Sequence, residues 1–419
     1  MPGHKRNDAF GIPSSKIDIT EIDGFDNLHN PKEMLDDMQN ELAGLYESKN
    51  SLISVNGSTC CILSAICGVC KKGDKIIIAR NCHKSVYNAC MIHELKIAYI
   101  EPEFNEEFGI YTNVTQESVD KAIKDNRDAA ALVITSPTYE GIISNIRADI
   151  PVIIDSAHGS HFGLADYLPQ KTSGDIVINS LHKTLPCLTQ CAVIHINNEV
   201  YYHSIRRYMD IFETSSPSYV LLASVDRCID FLKNCKQAFD EYKIILDDFY
   251  NEVSLLKNIH LLKNDDITRI VIKVDGYNGF EIAQKLRKNG IEVESSGIDY
   301  VILISTVCDT ECGFGLLLKA LKCFAIKKKE ESKISKPILP KKAFEQYEII
   351  KTEITPISMA IGKISGESIF AYPPDIPLIT IGEIIDEKTL DYINSLIQKG
   401  VNVLSDGDLL PDSILTKCD

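Results

Sequence analysis

A lysine that follows a predicted strand, Lys183, is the residue of this chain best placed for covalent chemistry. The apolar residues 175–179 predict a buried strand, so Lys183 should lie where that strand ends and a loop begins, with Ser180 and His182 beside it. A lysine amine forms a Schiff base with an aldehyde cofactor when partial burial and a cationic neighbour lower its pKa. Taken alone the pattern is weak, because a lysine after a strand is most often a solvated surface residue.

An upstream turn has the composition of a phosphate site. Residues 51–55 predict a strand, and residues 60–70 predict an apolar helix. The Asn-Gly-Ser-Thr turn between them would offer the Ser58 and Thr59 hydroxyls, free backbone N–H groups and the positive end of the helix dipole. The alternative is an ordinary helix N-cap formed by Ser58 or Thr59.

Two further side chains follow predicted strands and suit a flat, heteroaromatic cofactor. His83 follows the strand 75–79, and its imidazole could stack on a ring, although a lone loop histidine is usually a surface residue. Asp155 ends the apolar strand 152–155, where a bare carboxylate is costly unless it meets a cation. A protonated pyridine nitrogen is such a cation, and a structural ion pair with arginine or lysine is the alternative.

These four features occur in chain order, each at the end of a predicted strand, and together they resemble a fold type I pyridoxal phosphate enzyme. The resemblance implies an α/β fold of the aspartate aminotransferase type. Further motifs, from the first residue to about Glu383, are similar to the bacterial ornithine/lysine/arginine decarboxylase family. The matching segments are 1–5, 18–21, 26–31, 55–59, 80–85, 136–141, 155–163, 182–186, 214–219 and 372–377.

The resemblance assigns roles around the cofactor ring. Lys183 would form the Schiff base with pyridoxal 5'-phosphate, and Asp155 would pair with the pyridine nitrogen. His83 would stack on one ring face and Ala157 would pack on the other, with His158 among the cofactor-binding residues. The catalytic set would be Lys183, His182 and Asp155.

The resemblance also places residues around the phosphate. Ser58, Thr59, Ser180 and His182 would hold the phosphate or its surroundings, and His182 would also lie near the reacting carbon. Thr214 would reach the phosphate of the neighbouring subunit, because family active sites lie at a homodimer interface. A homodimer with shared active sites is therefore expected.

Two glutamates near the carboxyl terminus, Glu367 and Glu383, match a family motif close to the substrate entrance. The resemblance implies that they bind substrate. A surface or structural acid is the alternative reading of each, with equal weight.

Some positions depart from the family pattern. The phosphate turn continues with Cys60-Cys61-Ile62, where the family usually has a small residue, Gly and Asn. Asp375 stands where glycine is common. The chain also begins at the Pro-Gly-His-Lys motif, so we expect a short form without the amino-terminal wing domain of the long members.

The composition excludes some function classes. The 419 residues contain 44 Lys and Arg against 59 Asp and Glu, and a net charge of −15 argues against a nucleic-acid partner. No apolar run reaches the roughly 20 residues that span a membrane, and no signal peptide is evident, so a cytoplasmic location is expected. The 14 cysteines should then be reduced thiols. Cys67 and Cys70 have metal-pair spacing without a second pair, and no metal site is expected.

The alternation of elements predicts the domain organisation. Residues 1–35 predict an amino-terminal arm, 36–225 a large cofactor-binding domain with a mostly parallel sheet, 226–330 a small α+β domain, and 331–419 a linker and carboxyl-terminal region. Within the small domain the pattern predicts one long helix over 226–257 and strands near 267–274, 291–294 and 300–304.

The family resemblance implies loss of the α-carboxylate from a basic amino acid, with Lys183 or His182 returning a proton to the α-carbon. The amine product would serve polyamine synthesis. Arginine, lysine and ornithine stay open as substrates, in that order. The alternatives are another fold type I reaction, such as transamination or β-elimination, and a catalytically silent homologue that acts as a binding partner.

Overall fold

A seven-stranded sheet forms the centre of the protein. The computed structural model describes residues 4–6, 13–327, 336–371 and 376–418. The elements of the first half are α1 (Met34–Tyr46), β1 (Asn50–Ser54), α2 (Gly57–Val69), β2 (Lys75–Ala79), α3 (Lys84–Ile92), β3 (Lys96–Ile100), β4 (Phe104–Asn105), β5 (Ile110–Tyr111), α4 (Gln116–Asp125), β6 (Ala129–Thr135), β7 (Val152–Asp155), β8 (Ile176–Ser180), α5 (Leu181–Thr184), β9 (Ala192–Ile196) and α6 (Tyr202–Phe212). The strands predicted at 51–55, 75–79, 152–155 and 175–179 are all present, with ends shifted by no more than one residue.

The order of the sheet explains why its ligand residues can converge. The strands lie in the order β1-β9-β8-β7-β6-β2-β3, and only β9 runs antiparallel to its neighbours. Apolar side chains of the strands are buried on both faces, in two separate hydrophobic clusters, as expected of a sheet covered by helices on both sides. The other six strands therefore end at the same edge, which is where open α/β sheets bind ligands.

The second unit is a four-stranded antiparallel sheet with helices. Its elements are α7 (Tyr219–Lys233), α8 (Lys236–Ser254), β10 (Ile259–Leu261), β11 (Arg269–Val274), α9 (Gly279–Lys288), β12 (Ser295–Ser296), β13 (Tyr300–Ile304) and α10 (Glu311–Lys322). The strand order is β10-β11-β13-β12. The predicted boundary at residues 225–226 falls inside α7, and the division into domains stays a prediction.

Two predictions for this unit are wrong. The single helix expected over 226–257 is two helices, because Asn234 ends α7 by donating its backbone N–H to the Phe231 carbonyl, 3.0 Å away. Asparagine competes for backbone hydrogen bonds and favours helix ends. The strand expected at 291–294 starts later, as β12 at Ser295. Of the expected residues, only Glu294 bonds to β13, through its N–H to the Ile302 carbonyl at 2.9 Å.

The carboxyl-terminal segment packs against the edge of the large sheet. Its elements are β14 (Thr352–Pro356), β15 (Ile369–Ala371), β16 (Ile376–Ile379), α11 (Glu387–Gln398), β17 (Val403–Ser405) and β18 (Ser413–Lys417). Short 3-10 helices occupy Glu199–Tyr201, Gln346–Glu348 and Ile357–Met359. The backbone N–H of Ile97, on β3, donates to the Glu345 carboxylate at 3.1 Å, which ties this segment to the sheet.

Several predicted features fall partly outside the described residues. Asp375 and most of the segment 372–377 lie there, as do the first three residues and most of the linker that follows Lys327. Of the predicted arm, 1–35, the described residues 4–6 and 13–33 contain turns and no helix or strand, and α1 begins at Met34. Within the ranges that the structure describes, every helix is too short or too polar to cross a lipid bilayer.

Candidate active site

A cavity of about 430 Å³ opens at the carboxyl edge of the large sheet. Most of the residues proposed from the sequence line it. The lining residues are Asn56, Gly57, Ser58, Thr59, Asn81, His83, Thr135, Thr138, Tyr139, Glu140, Asp155, Ala157, His158, His182, Lys183, Thr189, Gln190, Glu294 and Ile376. Loops after five different strands thus contribute to one crevice, as the parallel arrangement requires.

Lys183 lies in the single-turn helix α5, directly after β8, where the sequence predicted a loop. Its Nζ is 3.1 Å from Nε2 of His158. Burial lowers the pKa of Lys183, Asp155 opposes this shift, and the positive charge of Arg269 adds to it. The lysine is therefore biased towards the neutral amine that Schiff-base chemistry needs.

Arg269 determines which nitrogen of His158 carries the proton. Arg269 is buried and donates from Nη2 to the His158 carbonyl at 3.0 Å and to His158 Nδ1 at 3.3 Å. Since a guanidinium can only donate, Nδ1 must accept, and the proton of a neutral imidazole must sit on Nε2. Burial, together with Lys183 and Arg269, holds the pKa of His158 well below its usual value. The Nε2–H of a neutral His158 then points at an unprotonated Lys183 amine.

A second layer of buried polar groups supports Arg269. Asp266 accepts from the Thr268 hydroxyl at 2.8 Å and pairs with His161 Nε2 at 3.1 Å. Burial alone would raise the pKa of Asp266, but His161, Arg269 and Thr268 hold it at about 2. A charged Asp266 therefore balances the buried guanidinium of Arg269.

Asp155 ends β7 as predicted and is buried. Its Oδ1 accepts from the backbone N–H of Ala157 at 3.1 Å. Among the residues that the structure describes, no lysine, arginine or histidine lies within ion-pair distance of this carboxylate. The alternative of a structural ion pair is therefore not formed within this part of the chain.

The phosphate turn is built from the start of α2. The helix begins at Gly57, whose φ of +79° suits glycine, and Asn56 occupies the N-cap without a side-chain cap bond. The alternative that Ser58 or Thr59 is the N-cap is wrong, because both lie inside the first helical turn. Backbone N–H groups of this turn have no helical partner and, with both hydroxyls, line the cavity.

His83, Ala157 and His182 also line the cavity. His83 caps α3, and its Nδ1 lies 2.8 Å from the Ser85 hydroxyl. His182 bonds through Nδ1 to the Cys191 carbonyl at 3.0 Å, and burial lowers its pKa. A neutral His182 that donates from Nδ1 leaves Nε2 free to accept a proton.

Two predicted cofactor residues do not line the cavity. Ser180 is buried at the end of β8, and its carbonyl accepts from Ser160 Oγ at 2.8 Å. Thr214 follows α6, and its carbonyl pairs with His29 Nε2 at 2.8 Å. Their phosphate-binding roles stay predictions, and that of Thr214 concerns the neighbouring subunit.

Glu367 and Glu383 do not line the cavity either. Both are buried, and Glu367 accepts from the backbone N–H groups of Gly407 and Leu415, each at 2.6 Å. Glu383 Oε2 is 3.0 Å from Arg80 Nη2. Both carboxylates thus have the contacts of structural acids, and their substrate-binding role stays a prediction.

The cavity fits a pyridoxal phosphate. It offers a helix start for a phosphate, an amine with a lowered pKa, and an aspartate that no described cation pairs with. Buried polar atoms on its wall, Asn81 Oδ1 and Thr135 Oγ1, have no partner among the described residues. A polar ligand would satisfy them.

Sequence reasoning assigned no role to Tyr139, Glu140, Arg269 or Glu294. The Tyr139 ring meets His158 edge to face at 4.8 Å between centroids, and its hydroxyl donates to Glu294 Oε1. Tyr139 and Glu140 lie in a segment that carried the family resemblance. The sequence feature that could have pointed to Arg269 is a charged residue at the start of an apolar strand.

The described cysteines are free thiols. Cys67 and Cys70 are both buried, and burial raises their pKa to about 11 and about 12. Within the described ranges, no three potential ligands from His, Cys, Asp and Glu lie close enough to hold a metal ion.

Comparison with known proteins identifies relatives across the chain. The models described as Orn/Lys/Arg decarboxylase, major domain, and Orn/Lys/Arg decarboxylase, C-terminal domain, match residues 2–264 and 325–402. Arginine decarboxylase of Bacillus anthracis is 30% identical over 98% of this chain and 92% of that protein. The constitutive lysine decarboxylase of Escherichia coli has a TM-score of 0.83 at 18% identity, over 100% of this chain and 79% of that chain.

A more distant structure, SPT with a PLP internal aldimine, has a TM-score of 0.55 at 14% identity, over 71% of this chain and 78% of that chain. Together with the decarboxylase structure, it confirms the predicted fold type I architecture. The predicted family resemblance is confirmed by the two family models.

Proposed function

Because this chain belongs to the ornithine/lysine/arginine decarboxylase family, we propose that it converts arginine to agmatine and CO2, as in polyamine synthesis. Decarboxylation of a basic amino acid is the activity of the family. The choice of arginine rests on one observation, the 30% identity to the Bacillus anthracis arginine decarboxylase over 98% of this chain.

The proposed cofactor is pyridoxal 5'-phosphate. Lys183 would hold it covalently, Asp155 would keep a proton on the ring nitrogen, and His83 and Ala157 would pack on the two ring faces. The turn with Ser58 and Thr59 would bind the phosphate, with Ser180, His158 and His182 nearby. When bound, the cofactor supplies an electron sink for the pair that the departing carboxylate leaves behind.

The side chains of the cavity provide the proton transfers. His158, held neutral with its proton on Nε2, would keep the Lys183 amine unprotonated and ready to attack. The free Nε2 of His182 would take up a proton that the substrate α-ammonium loses on binding and return it to the α-carbon once the carboxylate has left, and Lys183 is the other candidate donor. The buried carboxylate of Asp155 acts as a preorganised charge, which needs no rearrangement during the reaction.

An amino-acid panel tests this function. Purified protein loaded with pyridoxal phosphate is incubated with arginine, lysine and ornithine, and the amines are identified by mass spectrometry. We expect agmatine and CO2 from arginine, with less product from the other two. Cadaverine or putrescine as the main amine would reassign the substrate, and a keto acid in place of an amine would indicate transamination.

We also propose a homodimer that shares its active sites, with Thr214 of one subunit reaching the phosphate bound to the other. In support, Thr214 does not line the cavity of its own chain. Lys183→Ala and a bulky Thr214 variant, each inactive alone, should regain activity in verified hybrids, where about half of the sites would be intact. Hybrids without activity would refute the shared site and leave the chemistry of Lys183 untouched.

A further inference from the structure

Glu140 is a buried carboxylate on the wall of the cavity around Lys183. Only 6% of the residue is exposed, and within the described part of the chain no lysine, arginine or histidine forms an ion pair with it. The Thr138 hydroxyl and its own backbone N–H act to lower its pKa, but burial outweighs them. Burial raises its pKa to about 7, since no nearby positive charge opposes the loss of hydration. A buried charge of this kind is costly until a cation meets it.

The position of Glu140 links two cavities. It lines the cavity around Lys183 and also a second cavity of about 120 Å³ behind it. Besides Glu140, only Ile376 lines both among the residues described. The side chain of a substrate held near Lys183 would therefore meet Glu140 where the two cavities adjoin.

The backbone holds Glu140 at this junction. Its carbonyl accepts from Asn264 Nδ2 at 2.7 Å, and Asn264 also donates to the carbonyl of Arg269 at 2.8 Å. The next residue, Gly141, has a φ of +85°, and a Cβ there would lie 2.9 Å from the Arg269 side chain. The turn that carries Glu140 is thus fixed against the same strand that orients His158.

We propose that Glu140 selects the substrate by pairing with the cation at the far end of its side chain. The proposal rests on the basic amino-acid substrate of the family, whichever member of that class is used. Other acids of the cavity are less suited to this role. Glu294 is exposed and already accepts from Tyr139, and Asp155 is the proposed partner of the cofactor ring.

The second cavity has walls that suit a planar cation. Its lining includes the rings of Phe104, Tyr111, Tyr300 and Tyr392 next to Glu140, together with one cation, Lys388. A guanidinium both pairs with carboxylates in a fork and stacks on aromatic faces, whereas an ammonium is a compact, strongly hydrated charge. Lys388 would repel either cation, so it does not separate the two substrates, whereas Glu140 and the rings favour a guanidinium over an ammonium.

A pair of nearly isosteric inhibitors tests Glu140. Agmatine carries a guanidinium, and carbamoylputrescine carries a neutral ureido group of the same shape. On the cofactor-loaded enzyme, Glu140→Gln should weaken inhibition by agmatine roughly 10- to 150-fold, the range for hydrogen bonds to charged groups, and change inhibition by carbamoylputrescine less than about 3-fold. Glu241→Gln, which removes an exposed acid on α8, should change neither.

Equal weakening of both inhibitors, or of neither, would overturn the proposal. Glu140→Asp provides a second variant that keeps the charge but withdraws it by one methylene. It should shift preference from agmatine towards its homologue with one more methylene, and an unchanged ratio would also count against Glu140. If the wild type instead releases cadaverine from lysine, the test uses cadaverine and the neutral 5-aminopentanol as the two inhibitors. The role of Glu140 can then be tested even though the proposed substrate is wrong.

Discussion

Two buried glutamates, Glu140 and Glu383, show how the same side chain serves different ends in two regions. Glu383 is fully buried at the junction of the large sheet and the carboxyl-terminal segment, and Arg80 pairs with it at 3.0 Å. Glu140 is 6% exposed at the reaction cavity and has no cation partner among the described residues. Burial raises the pKa of both carboxyls, but only at Glu383 does an arginine oppose the shift.

The two glutamates thus differ in role: the charge of Glu383 stabilises the fold, whereas that of Glu140 is available to a ligand. At the junction, Arg80 also donates to the Tyr87 hydroxyl at 3.0 Å, so each buried charge meets an opposite charge within the chain, although Arg80 Nε and Glu383 Oε1 have no further partner among the described residues. In the cavity, Glu140 and Asp155 form no ion pair with any described residue, and Asn81 Oδ1 has no hydrogen-bond partner among them. Polar groups that the chain leaves unsatisfied in a cavity are the ones that a ligand must complete.

The largest expected effect is on the cavity lysine. Lys183→Ala should abolish turnover and remove the near-visible absorbance of the bound cofactor, because no other amine would take its place. The thermal midpoint should change little. Burial already disfavours the charged form of this amine, so its removal takes away little stabilising charge. Lys72→Ala, an exposed lysine paired with Glu94, should keep both activity and absorbance. An unchanged cofactor spectrum in Lys183→Ala would contradict the assignment.

At the junction, the effect should be on stability. Arg80→Met leaves the carboxylate of Glu383 buried and unpaired, which should lower the free energy of unfolding by about 3–5 kcal/mol. Urea denaturation measures the loss. The double variant with Glu383→Leu should recover most of it, because two apolar side chains need no charge pair. A single variant as stable as the wild type would show that the ion pair has no structural role.

Asp155 should affect rate more than folding. Asp155→Asn should retain cofactor binding but reduce kcat on the order of 10²-fold or more, the scale seen when one preorganised charge is lost. Steady-state kinetics with the preferred amino acid measures the change, and cofactor absorbance verifies binding. Wild-type turnover would mean that the carboxylate has no electrostatic role in the reaction.

The smallest expected effect is a stabilisation at Glu140. The folded pKa of about 7 lies above the ordinary 4.5, so the folded state holds an extra proton between these values and loses stability as the pH rises through them. Glu140→Gln removes this cost, and should be more stable than the wild type by about 2–3 kcal/mol at pH 8 and by little near pH 4.5. Urea denaturation at both pH values, without substrate, tests this. A gain that does not depend on pH would contradict it.

Much of the large domain could be predicted because its signal is local. Apolar runs fixed the strands, and the parallel order brought Lys183, Asp155, His83 and the Ser58 turn to one edge. The break between α7 and α8 was missed because the apolar periodicity continues across it, whereas the ending depends on hydrogen bonds of Asn234.

The remaining site residues depend on contacts between distant segments. Arg269, on β11, lies 111 residues from His158 in the sequence, and no local sequence pattern predicts their contact. The sequence does not distinguish Glu140 from an ordinary acid in a turn, because its distinguishing property is that no described cation pairs with it. Glu383 carried a family motif, but its partner Arg80 is 303 positions away, so sequence reasoning could not separate a structural acid from a substrate contact.

The central claim, that the cavity around Lys183 is the active site, can be tested by locating the cofactor. The protein is loaded with pyridoxal phosphate, reduced with borohydride, digested and mapped by mass spectrometry. A single phosphopyridoxyl adduct on Lys183, absent when a basic amino acid in excess is added before reduction, is the predicted result. An adduct on another lysine, or none on Lys183, would contradict the account.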